Sequence, residues 1–341
     1  MENRVSTKTY VDGMLVDWGT KLFNQTPIKA KGPKKGLTGV PLVPKPKKKG
    51  KSGGAVQKLD AKAIRSKLGS IAKKPPEVMV KISGGGKGMR HIKSHLDYIS
   101  RNGKIELENE EGDVLTGIED LRELRKEWQD GGSRIADESD VREAFNIVLS
   151  MPAGTDELAV KRAARDFAAQ EFDGHQYVMA LHTFATDPDP KPSKNPHVHL
   201  AVKAQAADGT RLNPRKADLQ RWREGFAEAL REHGVEAAAT NRQQRLKRDR
   251  GEKQPVRQMR ERGATLDRVG KGGASPERIA KAKRTEAKVA NRYKKITKAL
   301  ASSPDVEDRK LAVGLVERLA EERRNEPIRG KPGRPAKDTE R

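Results

Sequence analysis

Two apolar segments that each contain histidine, residues 175–183 and 197–205, restrict the fold of this chain more than any other feature. Both alternate in the manner of β-strands, and the Pro- and Asp-rich interval between them predicts a strand, a loop and an antiparallel strand. Residues two apart in a strand point to the same face, so His197 and His199 share a face. His182 closes the first strand, and antiparallel pairing can bring its imidazole beside the other two.

Three converging imidazoles predict a site for one divalent metal ion, because imidazole is the commonest protein ligand for such ions. The alternative is a surface strand whose histidines have no function, since two histidines separated by one residue often occur by chance. The chain contains only 7 histidines, and three of them are His182, His197 and His199. Their concentration in this short region favours the metal site.

The composition points to a polyanionic partner. Lys and Arg exceed Asp and Glu so far that the net charge is +23, which predicts nucleic acid as the first partner and an acidic membrane surface as the second. No amphipathic lipid-binding pattern, long apolar run or signal peptide supports the membrane, so we expect no membrane insertion. The chain has no cysteine, which excludes disulfides and thiol catalysis and suits a reducing cytoplasm.

The apolar residues are too few for one compact core across the whole length, since only 34% of the chain is hydrophobic and 35% is charged. Residues 1–76 are rich in Lys, Pro and Gly, which predicts a basic, largely disordered arm that either lies on phosphates or serves as a solubilising linker. Strand and helix patterns between 77 and 242 predict an α+β domain with a central antiparallel sheet flanked by helices. Residues 243–341 are expected to form a basic helical extension with a disordered tail. Its helices have few large apolar residues and should be marginal alone or pack on another part.

A tyrosine follows the first predicted strand of the central domain. Tyr98 lies on a predicted helix over residues 89–102, with His95 one turn before it. A phenol on that stripe can face the sheet that carries the histidines. Tyrosine is a competent nucleophile toward phosphorus once it loses its proton and a cation neutralises the phosphate. A half-buried structural tyrosine is the alternative.

Residues 77–242 resemble the relaxases, the plasmid mobilisation nucleases that belong to the His-hydrophobic-His (HUH) endonucleases, in their VirD2/MobA-like type with a single catalytic tyrosine. The resemblance rests on the stretches HLDYISRNGKIELE, SMPAGTDELAVKRAARDFAAQEF, HQYVMALHT and NPHVHLAVKAQAADGTRLNPRKADLQRW. The ordered set of tyrosine, distal histidine and His-Val-His is more specific than the tyrosine motif alone. The resemblance implies that 77–242 is the catalytic domain of a nickase with the HUH relaxase fold.

What the resemblance implies is a transesterification on single-stranded DNA at a plasmid origin of transfer. Tyr98 would attack one phosphodiester, which leaves a 5′-phosphotyrosine and a free 3′-hydroxyl that can later be religated. His182, His197 and His199 would hold Mg²⁺ or Mn²⁺, which polarises the scissile phosphate. Apart from the resemblance, the position of His95 would let it assist removal of the proton from Tyr98, and a histidine without a role in the reaction is the alternative.

Further residues receive expected roles from their charge and their positions in the sequence. Arg101 and Lys104, beside the tyrosine, are expected to hold phosphates of the DNA, as are Arg215 and Lys216. For the second pair, solvated residues at a helix start are an equal alternative.

The chain departs from the family pattern at Phe184, where many relatives carry an aspartate that helps to orient a ligand histidine. Asp187 or Asp189 can substitute, since carboxylates behind the ligands commonly fix a histidine tautomer. The loop over residues 183–196 is also longer than the family leads us to expect. About 76 residues precede the tyrosine motif, which usually lies near the start of such proteins.

Two other functions stay open beside the relaxase. One is a rolling-circle replication initiator of the same HUH class, and the other is a non-catalytic basic DNA-binding or plasmid-packaging protein. The expected partners of a relaxase are single-stranded and duplex DNA at the transfer origin, relaxosome accessory proteins and a type IV secretion coupling protein. The expected location is the bacterial cytoplasm, with transfer to a recipient cell together with the DNA.

Overall fold

The computed structural model describes residues 7–23, 59–131, 134–240, 244–245, 259, 262–263 and 275–324. Its helices are α1 Lys8–Phe23, α2 Ala61–Lys73, α3 Met89–Ser100, α4 Gly117–Asp130, α5 Glu157–Glu171, α6 Lys216–Glu232, α7 Pro276–Ala301 and α8 Val306–Arg324. Its strands are β1 Met79–Gly84, β2 Leu107–Asn109, β3 Val114–Leu115, β4 Ala144–Ser150, β5 Tyr177–His182 and β6 His197–Lys203. The lysine-rich stretch of the predicted arm and the predicted disordered tail lie outside the described residues.

The chain forms two compact units, Lys74–Ala239 and the combination of Met1–Lys73 with Thr240–Arg341. The first unit contains one six-stranded sheet in the order β1-β4-β6-β5-β2-β3. Every neighbouring pair is antiparallel. The predicted α+β class, with a central antiparallel sheet and flanking helices, is therefore confirmed. The short strands β2 and β3 were not predicted from the sequence.

Helices cover both faces of the sheet, as the side chains of β6 illustrate. Val198 and Leu200 point into a core shared with α5 and α6, which contains Trp222 and Phe226. Ala201 points the other way, into a second core shared with α3 and α4. Since side chains alternate along a strand, the odd-numbered residues of β6 all face the side of α3 and α4. That side also receives alternate residues of β5.

The helix α5 begins at a side-chain cap. The Asp156 side chain accepts hydrogen bonds from the backbone N–H groups of Leu158 and Ala159, at 2.9 and 3.3 Å. This satisfies donors that would otherwise be unpaired at the first turn. Asp156 thus fixes where α5 starts.

The second unit is a helical assembly, which differs from the largely disordered arm expected for residues 1–76. Two helices, α1 and α2, form within that region and pack with α7 and α8 around one apolar core. That core contains Val11, Leu15, Leu22, Ile64, Leu68, Ile71, Val289, Tyr293, Ile296, Leu300, Ala312 and Leu315. Each helix supplies only a narrow apolar stripe, and four stripes together bury enough surface where one cannot. We expected α7 and α8 to be marginal alone or to pack on another part of the chain. They pack on α1 and α2.

Arg65 of α2 forms ion pairs with one residue of α1 and one residue of α8. Its Nε and one terminal nitrogen donate to the two oxygens of Asp308 at 2.7 and 2.9 Å, and its other terminal nitrogen lies 2.7 Å from Asp12. Burial opposes ionisation of Asp308, but hydrogen bonds from Arg65 and Ser303 hold its pKa below the usual value. The buried carboxylate of Asp308 therefore depends on Arg65. None of the described helices has the length and apolar content needed to span a membrane.

Arg65→Ala should loosen the helical unit, because it leaves the carboxylate of Asp308, only 3% exposed, without its main counter-charge. Breaking a buried ion pair on one side costs about 3 kcal/mol. We expect faster hydrogen exchange of backbone amides in α2, α7 and α8, with amides of β4 and β6 unchanged. Lys62→Ala, at an exposed position of the same helix, is the control and should change exchange very little. Equal protection in both variants would contradict the role given to Arg65.

Candidate active site

Three histidines meet where β5 ends and β6 begins. His182 stands directly opposite His197 in the antiparallel pairing, and His199 follows two residues later on the same face. The ring centroid of His182 lies 5.3 Å from that of His197 and 4.7 Å from that of His199. The centroids of His197 and His199 are 5.0 Å apart. One ligand nitrogen from each ring lies within 4.8 Å of the others. The group can therefore surround one metal ion.

Backbone carbonyls orient two of these rings. Nε2 of His182 lies 2.7 Å from the carbonyl oxygen of Ile99, and Nδ1 of His197 lies 2.9 Å from that of Asn195. Because a carbonyl only accepts, each of these nitrogens carries the hydrogen in the neutral ring. The lone pairs are then left on Nδ1 of His182 and Nε2 of His197. Sequence reasoning missed both carbonyls, since any residue type supplies one.

His199 has no hydrogen-bond partner for either ring nitrogen among the residues that the structure describes. Burial of its side chain, together with the neighbouring histidines, lowers its pKa to about 2. Burial also lowers the pKa values of His182 and His197. All three rings are thus neutral at neutral pH, which is the form that binds metal. Buried nitrogens without partners are costly, so the donor set fits a divalent metal that would accept their lone pairs.

Tyr98 lies beside this group on α3. Its side chain is 51% exposed, and its ring centroid lies 5.5 Å from that of His199 at an interplanar angle of 88°. His95 lies on the same side of α3, 6.2 Å from Tyr98 and 6.4 Å from His199 between ring centroids. The phenol is thus open to solvent and adjacent to the histidine group.

Burial lowers the pKa of His95 to about 4, so its ring is neutral at neutral pH. Its Nε2 is buried and has no hydrogen-bond partner within the described parts of the chain. A neutral ring with an unsatisfied nitrogen next to Tyr98 can receive a hydrogen bond.

The helix α3 ends in a left-handed turn immediately after Tyr98. Arg101, Asn102 and Gly103 have φ angles of 51°, 58° and 81°. Only glycine adopts this region without steric cost, so the turn is unfavourable for Arg101. It lets the guanidinium carbon of Arg101 lie 4.8 Å from the centre of the Tyr98 ring.

Arg101 forms a bidentate ion pair with Asp187 in the loop that follows β5. Its Nε and one terminal nitrogen donate to the two carboxylate oxygens at 2.8 Å each, and the same terminal nitrogen lies 3.5 Å from Asp189. These hydrogen bonds lower the pKa of Asp187 to about 2. The predicted phosphate clamp thus has a carboxylate partner within the protein.

Asp187 lies 3.1 Å from Nδ1 of His182. The sequence suggested that this carboxylate, or that of Asp189, orients a ligand histidine through its N–H group. Nδ1 is the nitrogen that the Ile99 carbonyl leaves unprotonated. The ionised carboxylate therefore lies on the side where a cation would bind.

The other predicted DNA-binding residues are not gathered at this group. Lys104 is exposed three residues after Arg101. Arg215 and Lys216 are exposed at the start of α6, a helix that packs on the face of the sheet opposite to α3. The structure therefore brings the histidines together with Tyr98, Arg101, Asp187 and Asp189, and leaves Arg215 and Lys216 apart.

His199→Ala should weaken binding of a divalent metal by about 100-fold or more, because removing supporting residues alone commonly costs 10- to 100-fold. Titration of the protein with Mn²⁺ in a calorimeter measures the affinity. His91→Ala is the matched control, since His91 is exposed on α3 and should leave the affinity unchanged. If His199→Ala binds Mn²⁺ as tightly as His91→Ala does, the three histidines do not form the metal site.

Known proteins resemble this chain in the same region. Residues 98–235 match the family described as relaxase, MobA/VirD2-like, nuclease domain. The T-DNA border endonuclease VirD2 of Rhizobium radiobacter is 31% identical over 191 residues, which cover 50% of this chain and 43% of that protein. The VirD2 proteins of Agrobacterium fabrum (strain C58 / ATCC 33970) and Rhizobium rhizogenes are each 27% identical, over 59% of this chain and 50% and 51% of their own lengths. The chain thus spans about half the length of these relatives. Over residues 98–235, which include β5, β6 and the three histidines, the chain is similar to the MobA/VirD2-like relaxase nuclease domain.

Proposed function

We propose that this protein is a conjugative relaxase that nicks single-stranded DNA at a plasmid origin of transfer, with Tyr98 as the nucleophile. One observation carries the proposal: the exposed phenol of Tyr98 lies 5.5 Å, between ring centroids, from a buried histidine whose two nitrogens have no partner in the described part of the chain. An exposed nucleophile beside a candidate cation site is the arrangement that attack on a phosphodiester requires.

The proposed reaction is a transesterification. The phenol oxygen of Tyr98 forms a bond to phosphorus while the bond from phosphorus to the 3′ oxygen breaks. The phenol loses its proton, and the departing 3′ oxygen gains one. Since the phosphotyrosine is itself a phosphodiester, a free 3′-hydroxyl can reverse the step and reseal the strand.

His182, His197 and His199 would hold the divalent metal that this family uses. Three imidazoles suit Mn²⁺ better than Mg²⁺, because Mg²⁺ prefers oxygen ligands. When bound, such an ion polarises the scissile phosphate and offsets charge in the transition state. The ionised carboxylate of Asp187, held by Arg101, would add negative charge beside the ion, with Asp189 as a weaker contributor.

The remaining predicted residues have proposed roles that follow from their positions. His95 would accept a hydrogen bond from the phenol and help its proton to leave. Arg101 and Lys104 would attract phosphates next to Tyr98. Arg215 and Lys216, at the start of α6, would contact the DNA away from the centre.

The relatives support a site-specific DNA-cleaving role, since they are T-DNA border endonucleases. The net charge of +23 supports binding to both single-stranded and duplex DNA. With it we propose the partners of a relaxase: accessory proteins at the transfer origin and a coupling protein of a type IV secretion system. The protein would act in the bacterial cytoplasm and accompany the DNA into the recipient.

Tyr98→Phe should abolish a covalent protein–DNA adduct, because it removes the attacking oxygen. The assay incubates the protein with Mn²⁺ and a transfer-origin strand labelled at its 3′ end, then separates the products on a denaturing gel. The label should migrate with the protein, and the released 5′ fragment should be extendable by a polymerase.

Tyr10→Phe is the matched control, since Tyr10 is also an exposed helical tyrosine but lies in the other unit. The control should form the adduct at the normal rate. An adduct that persists in Tyr98→Phe, or the lack of any adduct with the unaltered protein, would refute the proposed reaction.

His95→Ala should slow adduct formation by about 100-fold, a typical contribution of a positioned proton acceptor. His95→Gln keeps an accepting oxygen near the phenol and should recover part of the rate. The initial rate of adduct formation is the measurement, with His91→Ala as the control on the same helix. A normal rate in His95→Ala would remove His95 from the reaction.

A further inference from the structure

Phe184 is an exposed aromatic ring at the edge of the candidate active site. The chain has 6 phenylalanines, and all lie in the described residues. Five are buried or half-buried, whereas the side chain of Phe184 is 55% exposed. A single exposed apolar side chain is common on a protein surface, so the significance of Phe184 depends on what lies beside it.

The turn that carries Phe184 is held rigidly. The hydroxyl of Thr183, a residue only 2% exposed, accepts a hydrogen bond from the backbone N–H of Thr186 at 3.1 Å and lies 2.8 Å from its hydroxyl. The backbone N–H of Asp187 donates to the carbonyl of Thr183 at 3.2 Å. A ligand that contacts Phe184 would therefore meet a preformed surface and would not have to order a loop.

Both ends of this turn contact the histidine group. His182 precedes it, and Asp187 returns to within 3.1 Å of the His182 ring. Two residues of extended chain reach at most about 7 Å, so the Cα atom of Phe184 lies no farther than that from the Cα atom of His182. Arg101 ties the same turn to the end of α3, next to Tyr98. Phe184 thus lies at the rim of the site on which a phosphodiester would bind.

We propose that Phe184 is a stacking platform for one nucleobase of a single-stranded DNA next to the scissile phosphate. This inference rests on the proposed function, since it assumes that the histidine group receives a DNA strand. Bases of single strands expose flat π-faces, and aromatic side chains beside a cationic groove bind them by stacking. In this chain Asp187, and not residue 184, is the carboxylate beside His182. The exposed side chain of Phe184 is therefore available to bind a base.

The test is a double-mutant cycle between the protein and the DNA, measured by fluorescence anisotropy without metal and in a Tyr98→Phe background. The probes are a short oligo(dT) strand and a strand of the same length and charge that lacks all bases. Phe184→Ala should weaken binding of oligo(dT) by about 5- to 150-fold, which corresponds to the stacking of one base. It should leave binding of the abasic strand unchanged, because contacts to phosphates are the same in both strands.

Further variants separate stacking from plain apolar contact. Phe184→Trp should keep or increase the affinity for oligo(dT), and Phe184→Leu should lose most of it. Leu158→Ala is the control, since Leu158 is 60% exposed on α5, which packs against the opposite face of the sheet. It should change neither affinity.

An equal loss of affinity for both strands in Phe184→Ala, or no loss for either, would overturn the proposal. Its failure is distinguishable from failure of the proposed function, because the binding assay requires no cleavage. A normal adduct in Tyr98→Phe would refute the nucleophile and leave a selective loss of oligo(dT) binding in Phe184→Ala as support for stacking.

Discussion

The antiparallel pairing of β5 with β6 is the constraint on which the candidate site depends. It sets His182 opposite His197 and puts His199 on the same face. A shift of one residue in β6 would move both of its histidines to the face of α5 and α6 and send Val198 to the site. Both strands have neighbours on each side, β4 next to β6 and β2 next to β5, so neither lies at an edge where pairing can slip. The geometry of the three rings is therefore a property of the sheet and not of a loop.

The charges around these rings are balanced. The three imidazoles are neutral because burial lowers their pKa values, and Arg101 with Asp187 forms an ion pair. The three rings and this ion pair together carry no net charge, and a bound divalent cation would add positive charge, which suits a phosphate. Arg101 also contacts the Tyr98 ring, so one side chain links the nucleophile's helix to the loop beside His182. Displacement of Arg101 would disturb both at once.

The sequence was sufficient for features that depend on local patterns. The alternating strands and the shared face of His197 and His199 follow from residues a few positions apart. The tautomers of His182 and His197 could not be predicted from the sequence, because they depend on the main-chain carbonyls of Ile99 and Asn195. The pair of Arg101 with Asp187 joins residues 86 positions apart and carries no local pattern. For the same reason α1 and α2 were mistaken for part of a disordered arm: their narrow apolar stripes reveal a core only when the distant partners are known.

The ion pair between Arg65 and Asp308 has a consequence for the order of folding during synthesis. The two residues are 243 positions apart, so a ribosome that adds about 5–20 residues per second makes Arg65 roughly 10–50 seconds before its partner exists. The whole sheet-bearing unit lies between them and can fold as it emerges. During that interval, the apolar stripes of α1 and α2 lack α7 and α8 as packing partners. The later-synthesised helices α7 and α8 thus complete the apolar core that α1 and α2 begin.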